Sequence, residues 1–185
     1  MAIFEKAYDI TMSHEGGYVN DPDDAGGETY CGVSRKNFPN WQGWEYIDQV
    51  KRTRDIKTNE VLNHDTLKAM VKLFYKAEFW DYHNLDSFEF QEIANEIFDT
   101  GINMGRVIGA RFLQKALNLL NKNEQKFDDL KIDGKIGSKT LRCFQYVNYR
   151  TVLKVMNGLQ FNKYVELCEK NPVYEKFFYG WLNRT

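Results

Sequence analysis

Across its 185 residues the chain carries 25 basic and 26 acidic side chains, a net charge of −1, with 43% hydrophobic and 15% aromatic residues. This is a globular composition, not a disordered one, and the length suits one core or a main domain with a small helical companion. Balanced charge argues against nucleic acid as a partner, and surplus aromatics suit both a core and a groove that holds flat apolar faces.

Cys31, Cys143 and Cys168 are widely spaced and contain no Cys-x-x-Cys, so neither a disulfide framework nor a structural zinc site is expected. Reduced thiols in a chain made in the cytoplasm are the expectation. The opening Met1–Lys6 lacks the basic region and apolar run of a signal peptide, and no stretch of about 18 apolar residues offers a membrane span.

In chain order, residues 3–14 are predicted as a helix. Phe4, Tyr8 and Thr11 follow one helical face, Glu15 continues the stripe, and Gly16-Gly17 ends it. Residues 16–44 are turn-rich, with Asp21-Pro22 and Gly26-Gly27, and predict loops or a short irregular hairpin facing a cleft. Pro39 and Gly43 continue the breaks. From about residue 64 the pattern is helical. Leu67, Met70, Val71 and Phe74 share one face, Phe90, Ile93, Ala94, Ile97 and Gly101 a second, and Phe112, Ala116, Leu117 and Leu120 a third. A polar connection at 124–136 holds Asp133-Gly134, and 137–183 alternates helical stretches around Gly158 and Pro172. The expected fold class is mainly α, with a small irregular loop or β region at about 16–35.

Glu15 is the chemically pointed residue. A carboxyl at a helix C-terminus meets the negative end of the dipole, and a place on an apolar stripe implies partial burial. Both raise its pKa, as a general acid requires. Glycosidic cleavage needs such an acid and a second carboxylate. Asp21, Asp23 and Asp24 follow in the polar loop, and Asp24 is favoured because Gly26-Gly27 lets the backbone turn sharply after it. Thr29 is placed to hold the attacking water. The same Asp-Pro-Asp-Asp run beside two glycines is also ordinary turn chemistry.

Trp41 and Trp44, between Pro39 and Gly43 in a polar stretch, are candidates to stack on sugar rings, whereas Trp80 is assigned to the core. Asp99 and Asn103 lie four apart on one helix face, where a structural hydrogen bond is expected. His14, His64 and His83 have no ligand spacing, and Asp21 to Gly32 lacks the closing Glu of a calcium loop, so no metal and no cofactor is expected. Cys31 has no histidine partner in a recognisable motif and is taken as a packed thiol.

The run His14-Glu15-Gly16-Gly17-Tyr18-Val19-Asn20-Asp21-Pro22, continuing through Asp24-Ala25-Gly26-Gly27-Glu28-Thr29 to Gly32-Val33-Ser34, resembles the signature of glycoside hydrolase family 108. Phe79-Trp80-Asp81, Phe98-Asp99 through Asn103 and Gly105, Leu113-Gln114 and Asp133-Gly134-Lys135-Ile136-Gly137 extend the likeness over roughly residues 4–160. Ala25 stands where the family usually has proline, and Tyr30-Cys31 where it has Asn-Tyr.

The resemblance implies a lysozyme-like N-acetylmuramidase with Glu15 catalytic, cleaving between N-acetylmuramic acid and N-acetylglucosamine, in a family whose members include proteins named as secretion activators. By likeness to phage-type lysozymes it also implies an inverting arrangement of Glu15, Asp24 and Thr29. Tyr18, Tyr30, Trp41, Trp44 and Asn103 become candidate substrate contacts. Residues 1–100 are then the expected catalytic region. Residues 101–185 are a peptidoglycan-binding helical region packed with it as one compact unit. The partner expected is the glycan strand of peptidoglycan, met by a monomer delivered to the wall by holin-type or other release. A lytic transglycosylase and a non-catalytic wall-binding or secretion-facilitating protein are the competing expectations.

Overall fold

The computed structural model describes residues 1–12, 16–20 and 27–184. The chain divides into two compact units, Tyr8–Ala77 and Met1–Ala7 with Glu78–Thr185.

Helix α1 (Phe4–Met12) buries Phe4, Ala7 and Thr11, at 3%, 0% and 2% exposure. Ala7, not the expected Tyr8, therefore completes the inward stripe, and Tyr8 is half-buried. In the smaller unit the turn-rich stretch forms a three-stranded antiparallel sheet of β1 (Tyr18–Val19), β2 (Thr29–Tyr30) and β3 (Val33–Ser34), in the order β1-β2-β3. Tyr18 pairs with Tyr30 and Val19 with Thr29, while Thr29 and Tyr30 pair with Ser34 and Val33. Cys31 and Gly32 join β2 to β3 with φ of 45° and 77°. Two left-handed residues give the turn whose twist matches the strands it joins.

Two helices complete this unit. Helix α2 (Gly43–Lys51) buries Gly43, Trp44 and Ile47. Gly43 was expected to break the chain, yet it is the first helical residue. A Cβ there would collide with the Trp41 indole, so the glycine serves close ring packing and not a turn. Helix α3 (Asp65–Tyr75) is capped by extended His64, whose Nδ1 accepts from the Leu67 N–H at 3.3 Å, and it buries Leu67, Val71 and Tyr75.

After α3 the chain passes through a π-helical turn (Lys76–Trp80) and two 3-10 turns (Asp81–His83 and Leu85–Ser87). Trp80 is fully buried, as expected, and its Nε1 donates to Asp86 at 2.8 Å.

The larger unit is built on α4 (Gln91–Met104), α5 (Ile108–Leu119) and α7 (Tyr149–Lys170), which pack on one another. Helix α4 buries Ile93, Ala94, Ile97 and Gly101 on the expected face. In α5 the inward residues include Leu113, Ala116 and Leu117, while Phe112 and Leu120 are half-buried. A Cβ on Gly109 would stand 2.6 Å from the Ile97 carbonyl, so α4 and α5 meet backbone to backbone. Gln114 anchors the loop that follows. Its Nε2 donates to Asp133 Oδ1 and the Lys135 carbonyl, both at 3.0 Å, and its Oε1 accepts from the Gly134 N–H at 2.8 Å.

Helix α6 (Ser138–Cys143) leads to α7, which runs unbroken through Gly158, contrary to the expected break there. The 22-residue helix outweighs the roughly 1 kcal/mol cost of one interior glycine. Pro172 does interrupt it, opening a 3-10 turn (Pro172–Tyr174) before α8 (Glu175–Leu182). Among the described residues no helix is long and apolar enough to cross a membrane.

Candidate active site

Glu15, Asp21, Asp23 and Asp24 lie outside the described residues. What the structure does give is the frame that brackets them. Helix α1 is described as far as Met12, and the described residues continue from Gly16. A Cβ on Gly17 would collide with the carbonyls of Asn59 and Glu60. That approach lets Tyr18 N–H donate to the Glu60 carbonyl at 2.9 Å and Asn59 N–H to the Tyr18 carbonyl at 2.8 Å. The second glycine of the Gly-Gly pair thus seats β1 on the 57–60 loop.

Thr29 stands on the central strand, half-buried, between Val19 and Ser34. Alternation along the strand turns it to the face opposite Tyr30. Tyr30 is 1% exposed, and its hydroxyl accepts from the Leu62 N–H at 3.1 Å. Burial pushes that phenol up to about 12. Tyr18 is 6% exposed and donates to Glu28 Oε1 at 2.9 Å. Both tyrosines were candidate sugar contacts. Their rings lie in the interior and their hydroxyls are held by protein, so they position the hairpin instead.

Trp44 is corrected on the same ground. It is 3% exposed, its Nε1 donates to the Phe38 carbonyl at 2.8 Å, and the Arg35 guanidinium lies 4.3 Å from its ring centroid. Trp41 is half-buried, near-parallel to Tyr30 at 6.5 Å and edge-on to Trp44 at 5.2 Å. It is the one of the two that keeps accessible ring surface. Asn103 belongs to the larger unit, where its Nδ2 donates to the Asp99 carbonyl and carboxylate at 2.9 and 3.0 Å, a structural role.

A residue the sequence did not single out organises the hairpin. Glu28 contacts Arg35 at 2.6 Å and Lys51 at 2.8 Å in addition to Tyr18, with its side chain only 13% exposed. Arg35 also forks onto Asp48 at 2.6 and 3.1 Å, which holds the Asp48 carboxyl below its ordinary value. Arg35 N–H donates to the Glu28 carbonyl at 2.8 Å, extending the β2–β3 ladder by one rung. The charge cluster therefore fastens the strand carrying Thr29 to α2. The only signal in the sequence was the place of Glu28 directly before Thr29.

Cys31 is half-buried, and the Tyr75 hydroxyl donates to its carbonyl at 2.8 Å. Among the described residues no group of three or more His, Cys, Asp or Glu side chains is disposed to hold a metal ion.

The model of the glycosyl hydrolase 108 family matches residues 8–105, just over half the chain. The chain belongs to glycosyl hydrolase family 108. A second model, described as a predicted peptidoglycan domain, matches residues 108–185 and supports peptidoglycan as a partner of this family 108 protein. A similar solved structure is that of SagA from Brucella abortus, with 23% identity, 98% of this chain and 88% of the other covered, and a TM-score of 0.61. It bears on the fold, which is the mainly α, lysozyme-like one expected, with its small sheet inside residues 16–35. No curated protein matches in sequence.

Proposed function

We propose that this family 108 chain is an N-acetylmuramidase acting at the bacterial cell wall, hydrolysing the β-1,4 bond between N-acetylmuramic acid and N-acetylglucosamine. The carrying observation is the pair of matches, a glycosyl hydrolase over 8–105 and a peptidoglycan domain over 108–185.

Glu15 stands three positions after Met12, the last described residue of α1, inside the box that resembles the family's catalytic one. It delivers its proton to the departing glycosidic oxygen. Asp24 takes a proton from water as that water attacks the anomeric carbon from the opposite face, and Thr29 on β2 orients the water. The products are two shorter strands, one with a new reducing end, formed with inversion. Trp41 supplies an apolar face beside the hairpin. Glu28, Tyr18 and Tyr30 hold the strand on which Thr29 sits.

The test is mass spectrometry of fragments released from purified sacculi by wild type and by Glu15→Gln. Wild type is expected to release muropeptides ending in reducing N-acetylmuramic acid, and Glu15→Gln none. Anhydro-muramic ends would replace the hydrolase with a lytic transglycosylase. Retention on sacculi with no released sugar would make the chain a binding protein.

A further inference from the structure

Neighbouring helices α7 and α8 leave an open groove of about 420 Å³ between Val165, Cys168 and Glu169 on one helix and Glu175, Phe178 and Tyr179 on the other. The volume lies within the range of small-molecule clefts, roughly 300–1,000 Å³. Helical spacing explains the lining. Positions 165, 168 and 169 form one face of α7, and 175, 178 and 179 one face of α8. Tyr179 is 85% exposed, and Val173 at 61%, Tyr174 at 38% and Phe177 at 46% are exposed close to it in sequence, so the ring is one of a cluster of exposed apolar side chains. Trp181 and Phe178 of α8 are half-buried and pack on Tyr164 and Phe161 of α7, with ring centroids 4.9 and 6.2 Å apart, whereas Tyr179 turns away from those contacts.

Resting on the muramidase reading above, we propose that this groove is a second glycan site, separate from the catalytic hairpin, that holds the neutral amino-sugar face of a peptidoglycan strand. Its chemistry suits that occupant. A pyranose ring presents a face of C–H groups with positive partial charge, which stacks on the electron-rich face of Tyr179. Val165, Cys168 and Phe178 form an apolar floor for the same ring face. Glu169 and Glu175 accept hydrogen bonds from sugar hydroxyls and from the N-acetyl N–H.

The acidic rim selects against the main competitor. A bacterial membrane surface is anionic and draws basic, not acidic, side chains. All six residues fall within the stretch that matches the peptidoglycan domain, 108–185. The site gives the enzyme a hold on the wall independent of the bond being cleaved, which raises the local concentration of substrate strands.

The test uses the full chain carrying Glu15→Gln, so that bound strands are not cut, and measures its co-sedimentation with purified sacculi. Tyr179→Ala is expected to bind about tenfold or more weakly, because one lost ring face is worth on the order of a tenfold change. Tyr179→Phe is expected to retain binding, since the stacking face survives. Soluble N-acetylglucosamine hexamer is expected to compete with sacculi for the parent protein, lowering its sedimentation at least to that of Tyr179→Ala. Thermal melts matching the parent's establish that Tyr179→Ala is folded.

Equal sedimentation of Tyr179→Ala and its parent overturns the groove proposal. If wild type still releases reducing muropeptides in that case, the muramidase reading stands. Failure of the hexamer to compete also overturns the proposal, by moving the contact to the stem peptide. Loss of binding to phosphatidylglycerol vesicles in Tyr179→Ala, with sacculus binding unchanged, overturns it in favour of a membrane.

Discussion

Glu28 and Arg35 are joined twice, by a backbone hydrogen bond of 2.8 Å and by a side-chain ion pair of 2.6 Å, across the hairpin that carries Thr29. Glu28→Gln keeps the shape and removes the charge, leaving Arg35 and Lys51 without this anionic partner. The expected cost is about 1–3 kcal/mol, below that of a fully buried pair because Arg35 is 29% and Lys51 38% exposed. Urea unfolding measures it. If Glu28 positions the hairpin, Glu28→Gln also lowers kcat more than it raises KM. An unchanged kcat would confine the residue to stability alone.

Tyr30→Phe removes the acceptor for the Leu62 N–H in a buried setting. The expected loss is roughly 1–2 kcal/mol of stability with KM for wall fragments unchanged. A raised KM with unchanged melting would return Tyr30 to the list of sugar contacts.

Gly17→Ala drives a methyl group into the carbonyls of Asn59 and Glu60. Both obstacles are backbone, so β1 must leave the 57–60 loop. A loss above about 2 kcal/mol is expected. Circular dichroism melts decide it, and wild-type melting would show that the loop yields freely.

Glu96 sets a pH dependence in the larger unit. It is 8% exposed, accepts from Thr100 Oγ1 at 3.0 Å, and faces Asp99, itself paired with Arg184 at 3.0 Å. Burial foremost, with the Asp99 charge adding, pushes the carboxyl from 4.5 up to about 7, while the Thr100 hydrogen bond pulls it down. Between those values the unfolded chain has released the proton and the folded chain has kept it. Stability from this group is therefore full below about pH 4.5 and is lost as pH rises to about 7, a change of roughly 3 kcal/mol. Glu96→Gln is expected to flatten that slope and to raise the melting temperature at pH 8. An identical pH profile in the variant would contradict this assignment.

The helices from residue 64 onward were legible because their apolar spacing is local, and Ile93, Ala94 and Ile97 face inward as that spacing requires. The short sheet was legible as a glycine-rich hairpin region. Helix α2 was not, because Pro39 and Gly43 signal a break and only the indole of Trp41 explains the glycine. Glu28 escaped notice for a related reason. Two of its partners, Tyr18 and Lys51, lie 10 and 23 positions away, and no periodicity connects them. The aromatic candidates misled in the opposite direction, since Tyr18, Tyr30 and Trp44 have the composition of a sugar platform and the burial of a core.

The backbone contact of Gly109 with Ile97 has a practical consequence for protein engineering. Ile97 falls within the hydrolase match and Gly109 within the peptidoglycan match, so the seam between the two families runs through a shared interior. A truncation at the family boundary would strip α5 and α7 from α4 and bare its inner side. The wall-affinity segment is therefore not a detachable tag, and chimaeras that exchange it must carry α4 along.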